Sequence, residues 1–394
     1  MIGTAPRHPI SAVLIQLSDY CKANDWAGAD PYDALNSEWL TTIPMLNRRI
    51  PRLILTQCLK RSPINLRPLL RIPPTQNPKA LALFLSAFVK MKRMRLLEDR
   101  QLIDEIVEKL AQQRSPNHDS FCWGYSFPWQ TRSVLVPRGA PNLVCTVFVA
   151  NALLDVYEAF QETQYLVMAV DAARYIHQLH WDEAGGRSGF SYPLPSSRNG
   201  VHNANFLAAA LLCRIDRLCH EPKFAEAGLK VARYSARQQK PDGAWAYSDL
   251  KTQQWIDNFH TGFNLCALKS IGRDTGSAEF EPCLQRGFHF YRTHFFHEDG
   301  TAKYFHNRTY PIDIHSVAQS LITLTTLKEM DCGNKPQTQS VLGWVLRNLW
   351  DKQGFFYYRA YPFWKIRTSY MRWSQAWMML ALATVLEDSH QPAK

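Results

Sequence analysis

The feature that most constrains this chain is a sixfold recurrence. An apolar stretch rich in small residues begins near Pro78, Pro141, His202, Asp257, Pro311 and Ser369, at separations of 63, 61, 55, 54 and 58 residues. Each is preceded by a segment crowded with Trp, Tyr, His, Arg, Asn or Pro. A period of this length corresponds to one helical hairpin with its loops, a unit that needs neighbours to bury its apolar face. Amphipathic helices are expected over 98–113, 164–179, 223–239, 279–294 and 338–349. They alternate with nearly all-round apolar helices over 142–160, 203–218, 258–271, 312–330 and 370–386. Helices apolar on every side are buried on every side, whereas amphipathic ones cover a core on one face. The pattern predicts an inner and an outer ring: an all-α (α/α)6 toroid of six hairpins.

Each link from an outer to an inner helix has a glycine near an aromatic pair, as in 123–125, 189–192, 243–247, 300–304 and 354–358, which predicts short β lips at one end. Glycine there allows a left-handed turn. The reverse links are short and plain. One end is therefore expected to be a chemically rich funnel and the other bland. Residues 1–37 are polar and turn-rich and read as an irregular segment packed on the barrel. Residues 38–394 read as one toroid domain, with a helix over 38–59 broken by Pro44 and Pro51 and another over 79–94.

The 394 residues carry a formal net charge of +11, which suits an anionic partner. Basic residues are dispersed among Trp and Tyr instead of lining one helix, so no nucleic-acid partner is expected. Nine scattered cysteines without a CxxC pair give no case for structural zinc and point to a reduced, cytoplasmic setting. The most apolar run, 143–154, is interrupted by Asn151 and is short for a membrane span. No secretory leader is evident. Phosphate-cradling GxxxxGK[ST], GxGxxG and HExxH motifs are absent, and no cofactor or metal is expected.

Candidate residues cluster at the starts of the inner helices, where helix N-termini favour anions. Asp257, His260 and Asn264 open the fourth and form the strongest group. Asp313 and His315 echo them in the fifth, beside Tyr304, His306 and Arg308. His202, Asn203 and Asn205 open the third, and Asn203 or Asn205 also suits a helix cap. Tyr370, Arg372 and Trp373 open the sixth, where a buried arginine must be paired or bind an anion. Trp123, Tyr125, Trp129, Arg132, Trp245, Tyr247, Trp255, Tyr358 and Arg367 supply aromatic faces and guanidinium groups suited to stacking on sugar rings and gripping carboxylates.

The segments 30–37, 62–68, 202–205, 255–262, 311–316 and 370–377 together resemble a family found among bacterial and archaeal exopolysaccharide-biosynthesis proteins. That resemblance implies the six-hairpin toroid of glycosidases, N-acylglucosamine epimerases and polysaccharide lyases. Trp255-Ile256-Asp257 is similar to a segment of unsaturated-uronyl hydrolases in which the aspartate is the acid/base. The mixture of Asn, His, Tyr and Arg is similar to uronate lyases and uronyl C5-epimerases. The run 239–245 looks like the Gln–Trp repeat of terpene cyclases, whose acidic cation-forming motif is not evident here.

Three functions are carried forward. The first is an enzyme acting on an acidic sugar of a polysaccharide, oligosaccharide or lipid-linked precursor, by uronate C5 epimerisation. In it Arg372 or Arg132 with Asn203 neutralises the carboxylate, and His202, His260, His315 or Tyr370 moves the proton. The second is a glycoside hydrolase or lyase using Asp257 and Asp313. The third is a non-catalytic glycan-binding protein within a polysaccharide-assembly complex, and peripheral attachment at the inner membrane is compatible with any of the three.

Overall fold

The computed structural model describes residues 9–43, 45–131 and 134–390. Six helices form the inner ring: α4 (Pro78–Arg93), α6 (Leu143–Phe160), α8 (His202–Cys219), α10 (Asn258–Thr275), α12 (Ile314–Thr326) and α14 (Trp377–His390). Each packs on the next, and α14 packs back on α4, so the ring closes. Five outer helices cover them: α5 (Gln101–Gln112), α7 (Thr163–Gln178), α9 (Pro222–Arg237), α11 (Glu281–Phe295) and α13 (Asn334–Asn348).

The sixth outer helix corrects the sequence reading. Residues 9–23, expected to be irregular, form α1 (Pro9–Ala23), which packs on α14. Ile10, Leu14, Leu17 and Cys21 recur at helical spacing and are all buried. Three glycines show that α1 occupies an outer-ring place. Gly243, Gly300 and Gly354 have φ of +93°, +90° and +93°. A Cβ there would press on the main chain at Arg286 of α11, Ser340 of α13 and Gln16 of α1, respectively. The same loop thus meets three successive outer helices, the last drawn from the opposite end of the chain. These glycines lie in the loops and do not cap the helices: α9, for example, ends at Arg237 and is capped by Gln238. Gly124 and Gly189 are not left-handed.

The helix expected over 38–59 is two, α2 (Glu38–Thr42) and α3 (Arg49–Arg61). Pro51 sits in the first turn of α3, where a missing N–H is harmless. Pro44 lies outside the described residues. Of the expected lips, 189–192 and 354–358 carry strands, whereas 123–125 and 243–247 carry none and 300–304 has only the isolated bridge between Phe296 and Ala302. Strands β1 (Trp129–Gln130) and β2 (Leu135–Val136) pair, as do β3 (His180–Glu183) and β4 (Arg187–Phe190). So do β6 (Trp350–Asp351) and β7 (Phe355–Phe356), while β5 (Ile312–Asp313), β8 (Arg359–Ala360) and β9 (Lys365–Ile366) form one sheet.

Helix α6 is long and apolar enough to cross a membrane, extending past the run read from sequence. It is an inner-ring helix packed on α4, α7 and α8, which explains its composition. The end expected to be bland is also more polar than its short links suggested. It holds a cavity of about 640 Å³, where Arg214 bonds Asp155 and Glu158, and Arg217 bonds Glu158 and Asp274. Phe148, Phe263 and Trp377, in mutual ring contact, line this cavity from above.

Candidate functional site

Four inner helices begin at the funnel with the same device. Asn77, Asn142, Asp257 and Asp313 cap α4, α6, α10 and α12 by accepting from the backbone N–H of Lys79, Cys145, His260 and His315. The cap fixes the first turn and hence the direction of the side chain it holds. Lys79, His260 and His315 are thereby turned into one cavity of about 290 Å³ at the funnel end.

Its walls are mostly aromatic: Tyr125, Trp129, Tyr247, Trp255, Tyr304 and Trp373, all expected from sequence, line it with Asn203 and Arg372. Tyr247 and Trp255 stack at 4.5 Å, giving a flat apolar face. Burial pushes the phenols of Tyr125, Tyr247 and Tyr304 well above 10, so each remains a neutral hydroxyl. The Trp129 indole N–H and the Asn203 carbonyl oxygen are buried without a protein partner, which suits them to a ligand.

His260 has the geometry of a general base. The Asp257 carboxylate accepts from its backbone N–H at 3.0 Å, from its ring Nδ1 at 2.7 Å and from the Trp255 indole at 3.1 Å. With Nδ1 engaged by Asp257, Nε2 is the ring nitrogen left to meet a substrate. His315 is packed between Phe259 and Trp377, both 4.4 Å away between ring centres. Neither of its nitrogens has a partner. Burial, aided by the charges of Lys79, Arg372 and His260, lowers its pKa well below 6.5, so the imidazole is neutral.

Sequence reasoning missed Lys79. Its side chain is 4 % exposed and its ammonium lies 4.2 Å from the Phe148 ring centre and 5.3 Å from that of Trp377. Among the described residues no carboxylate pairs with it. Burial, reinforced by Arg372, pushes its pKa down from 10.5 to about 7. The signal was available: Asn77-Pro78-Lys79 stands in the same register as Asp313-Ile314-His315. Tyr32, Phe127, Tyr192, Phe259, Phe263 and Phe305 also line the cavity and were not singled out.

No aspartate or glutamate lines this cavity among the described residues. Asp313 is buried behind the wall, accepting from Arg359 at 2.6 Å, Trp373 at 2.9 Å and the His315 backbone at 3.0 Å. Arg372 lies in a π-helical turn, Met371–Ala376, and grips Asp30 through two bonds of 2.6 and 2.8 Å. Burial works against the Arg372 charge, but Asp30 outweighs it and keeps the guanidinium ionised. Arg67 likewise binds Asp33 and donates to the Tyr370 hydroxyl.

The remaining sequence candidates lie elsewhere. His202 is buried beside Ser235 and Asp249, and burial lowers its pKa to about 4. Asn205 bonds Phe190 and Ser235. Trp123 and Trp245 donate their indole N–H to Leu110 and Ser235 carbonyls inside the core. Tyr358 and Tyr370 meet edge to face in the core. His306 contacts the Ile256 carbonyl. Arg308 covers Phe305 and Arg367 covers Tyr357 on the exposed rim. Arg132 lies outside the described residues.

No protein-family model matches the sequence, and no curated protein matches it. Solved structures do share its fold. The Lin0763 protein from Listeria innocua superposes with a TM-score of 0.65 at 13 % identity, over 98 % of this chain and 100 % of that one. Cellobiose 2-epimerase from Bacillus thermoamylovorans gives 0.62 at 11 % identity, over 81 % and 90 %. The GH76 α-mannanase BT2949 from Bacteroides thetaiotaomicron gives 0.61 at 11 %, over 78 % and 85 %. The chain has the six-hairpin toroid of these proteins.

Proposed function

We propose that this chain is a carbohydrate-active enzyme that epimerises a sugar by moving a proton on and off a carbon next to a carbonyl or carboxylate. The observation that carries this reading is the set of charged and basic groups on the cavity: His260, His315 and Lys79, with Arg372 already neutralised by Asp30 and no carboxylate among the described residues. Hydrolysis by paired carboxylates needs two of them flanking the scissile bond, and Asp257 and Asp313 are each spent on a helix cap and on a basic side chain, His260 and Arg359. A fold shared with a cellobiose 2-epimerase supports an epimerase, and one shared with an α-mannanase supports a sugar substrate.

The substrate class we favour is a uronate, as a unit of a polysaccharide or of a lipid-linked precursor in polysaccharide assembly. Stacked Tyr247 and Trp255 offer a face for the ring. Among the described residues Lys79 has no carboxylate partner, and a sugar carboxylate supplies one. His260 Nε2 takes the proton from C5, the electrons pass into the carboxylate, and Lys79 with the tyrosine hydroxyls stabilises the enolate-like oxygen. The proton that returns to C5 from the other face comes from solvent, His260 gives its own proton up to solvent, and the neutral imidazole of His315 serves as a hydrogen-bond donor, giving the C5 epimer.

The test is incubation in D2O with glucuronate- or mannuronate-containing oligosaccharides, and with cellobiose as the neutral comparison, followed by mass spectrometry and NMR. Deuterium at C5, lost in His260→Ala, is the expected result. Deuterium only in cellobiose moves the substrate to neutral sugars. New reducing ends without deuterium overturn the reading in favour of hydrolysis.

A further inference from the structure

Fifteen large apolar side chains stand exposed among the described residues, and their distribution is uneven. Nine lie between residues 39 and 69, in the long funnel loop that joins α1 to α4. Five more, Leu135, Leu250, Tyr310, Phe363 and Trp364, are on other funnel-end loops. Only Val167 is on the outer wall. Helix α3 presents Ile50 and Ile54, 67 % and 58 % exposed, at i and i+4. Met45 and Leu69 are each 74 % exposed. Phe363, at the tip of the β8–β9 hairpin, is 96 % exposed, with Trp364 stacked on Tyr361 beside it. A monomer in water does not gather its apolar surface in this way without a partner.

The loop carrying this surface is also the roof of the site. Lys60 at the end of α3 lies over the rings of Tyr32 and Trp373, both on the cavity wall. Arg67 reaches Tyr370, and Asp30 holds Arg372. Whatever covers the apolar face therefore sits at the mouth of the cavity.

Charge selects the occupant. From Trp39 to Leu97 the chain contains no aspartate or glutamate; Arg71 pairs with Glu38 at 3.6 Å, while Arg48, Arg49 and Arg61 are exposed among the apolar side chains. A second copy on this face would set arginines against arginines. An anionic bilayer presents the complement to both parts: acyl chains for the isoleucines and Phe363, phosphate for the arginines, and an interface for Trp39 and Trp364. We propose that the funnel rim docks on an anionic lipid surface through α3, its flanking loops and the β8–β9 tip. Binding then opens the cavity beside the headgroups, where a lipid-attached sugar would be presented. The inference goes beyond the proposed reaction and stands without it.

The experiment is co-sedimentation of the full chain with vesicles of phosphatidylcholine alone and with about 30 % phosphatidylglycerol, plus light scattering for oligomeric state. Binding to the anionic vesicles only, weakened by salt, is expected. Each exposed arginine removed, as in Arg48→Ala and Arg61→Ala, should weaken it about fivefold. Ile50→Asp with Ile54→Asp should abolish it, and Phe363→Asp, on a separate hairpin, checks that a folding defect in α3 is not the cause. Wild-type protein that ignores anionic vesicles overturns the proposal, as does binding indifferent to all of these substitutions. A wild-type dimer broken by Ile50→Asp also overturns it, marking a self-contact. Deuterium exchange on a soluble oligosaccharide without vesicles should be unchanged in Phe363→Asp, so failure of docking and failure of the proposed reaction are read separately.

Discussion

Lys79 holds a charge where the fold least favours one, which makes its removal the sharpest test of the site. Converting Lys79 to methionine keeps the aliphatic stem and discards the ammonium. The folded pKa is about 7 against 10.5 in the unfolded chain. At ~1.36 kcal/mol per unit, the buried charge costs roughly 4–5 kcal/mol when protonated. The Phe148 ring, 4.2 Å away, returns about 0.5–2 kcal/mol, and the Trp377 and Phe263 rings, at 5.3 and 5.7 Å, about 0.5 kcal/mol each. A net gain of roughly 1–3 kcal/mol at pH 6 is expected for Lys79→Met. The unfolded chain binds more protons between pH 7 and 10.5, so wild-type stability rises across that window. The advantage of the variant is therefore full below about pH 7 and closes toward 10.5. A chain of this size should show it as a melting shift of about 1–4 °C, read by calorimetry at pH 6 and pH 10. The same variant should lose most of its affinity for a uronate oligosaccharide, since the carboxylate loses its cation. In wild type, kcat/KM for an acidic substrate should fall as pH rises through about 7. A variant less stable than wild type at pH 6, or one that binds uronate equally well, refutes the assignment of Lys79 as the carboxylate's partner.

Three further outcomes follow from other parts of the fold. His260→Ala should reduce proton exchange about 10²- to 10⁴-fold, and Asp257→Asn, which preserves the cap but not the charge behind Nδ1, should reduce it with little change in melting temperature. His202, buried neutral with a pKa near 4 against 6.5 unfolded, contributes stability that is complete above pH 6.5. That contribution fades by roughly 3 kcal/mol as the pH falls through 4, and urea unfolding at pH 7 and 4.5 should show a shallower loss in His202→Gln. Gly300→Ala places a Cβ at φ +90° against the Ser340 carbonyl and should cost about 2 kcal/mol or more. A change below about 0.5 kcal/mol would mean that the loop moves freely off α13.

The inner ring was legible because its helices are apolar on every side and recur at a steady interval, a signal that needs no long-range information. The ring-closing role of α1 was not. Its own pattern, Ile10, Leu14, Leu17 and Cys21, is helical, but its partner α14 lies more than 350 residues away in sequence, and the 54 residues between α1 and α4 hide the period. The same distance hid Tyr32, which reaches the cavity from that loop. His260 and His315 were legible as histidines after capping aspartates. Lys79 occupies the equivalent place after a capping asparagine. A lysine next to a proline at a helix start reads as solvent-facing until closure of the ring shows that α4 has no exposed side at that turn.

The aspartates also show how one fold separates two chemistries. Asp30, Asp257 and Asp313 stand one layer behind the cavity wall, with Asp33 beside Asp30, and each of the four is held by a cation or an imidazole: Arg372, His260, Arg359 and, for Asp33, Arg67. Negative charge in that layer favours cations and donors in front of it, and the wall presents a guanidinium, an ammonium, two imidazoles and several tyrosine hydroxyls. Such a surface stabilises an anion formed during reaction, whereas an oxocarbenium-like transition state needs carboxylates facing it. Freeing one carboxylate tests this logic. In Arg359→Met, Asp313 loses its 2.6 Å partner but keeps the Trp373 indole and the His315 backbone N–H. An unpaired buried carboxylate takes up a proton at neutral pH. The change should therefore lower stability by about 3–5 kcal/mol without creating glycosidase activity, because no second carboxylate among the described residues faces the cavity. Release of reducing sugar by Arg359→Met would show that Asp313 can reach substrate after all.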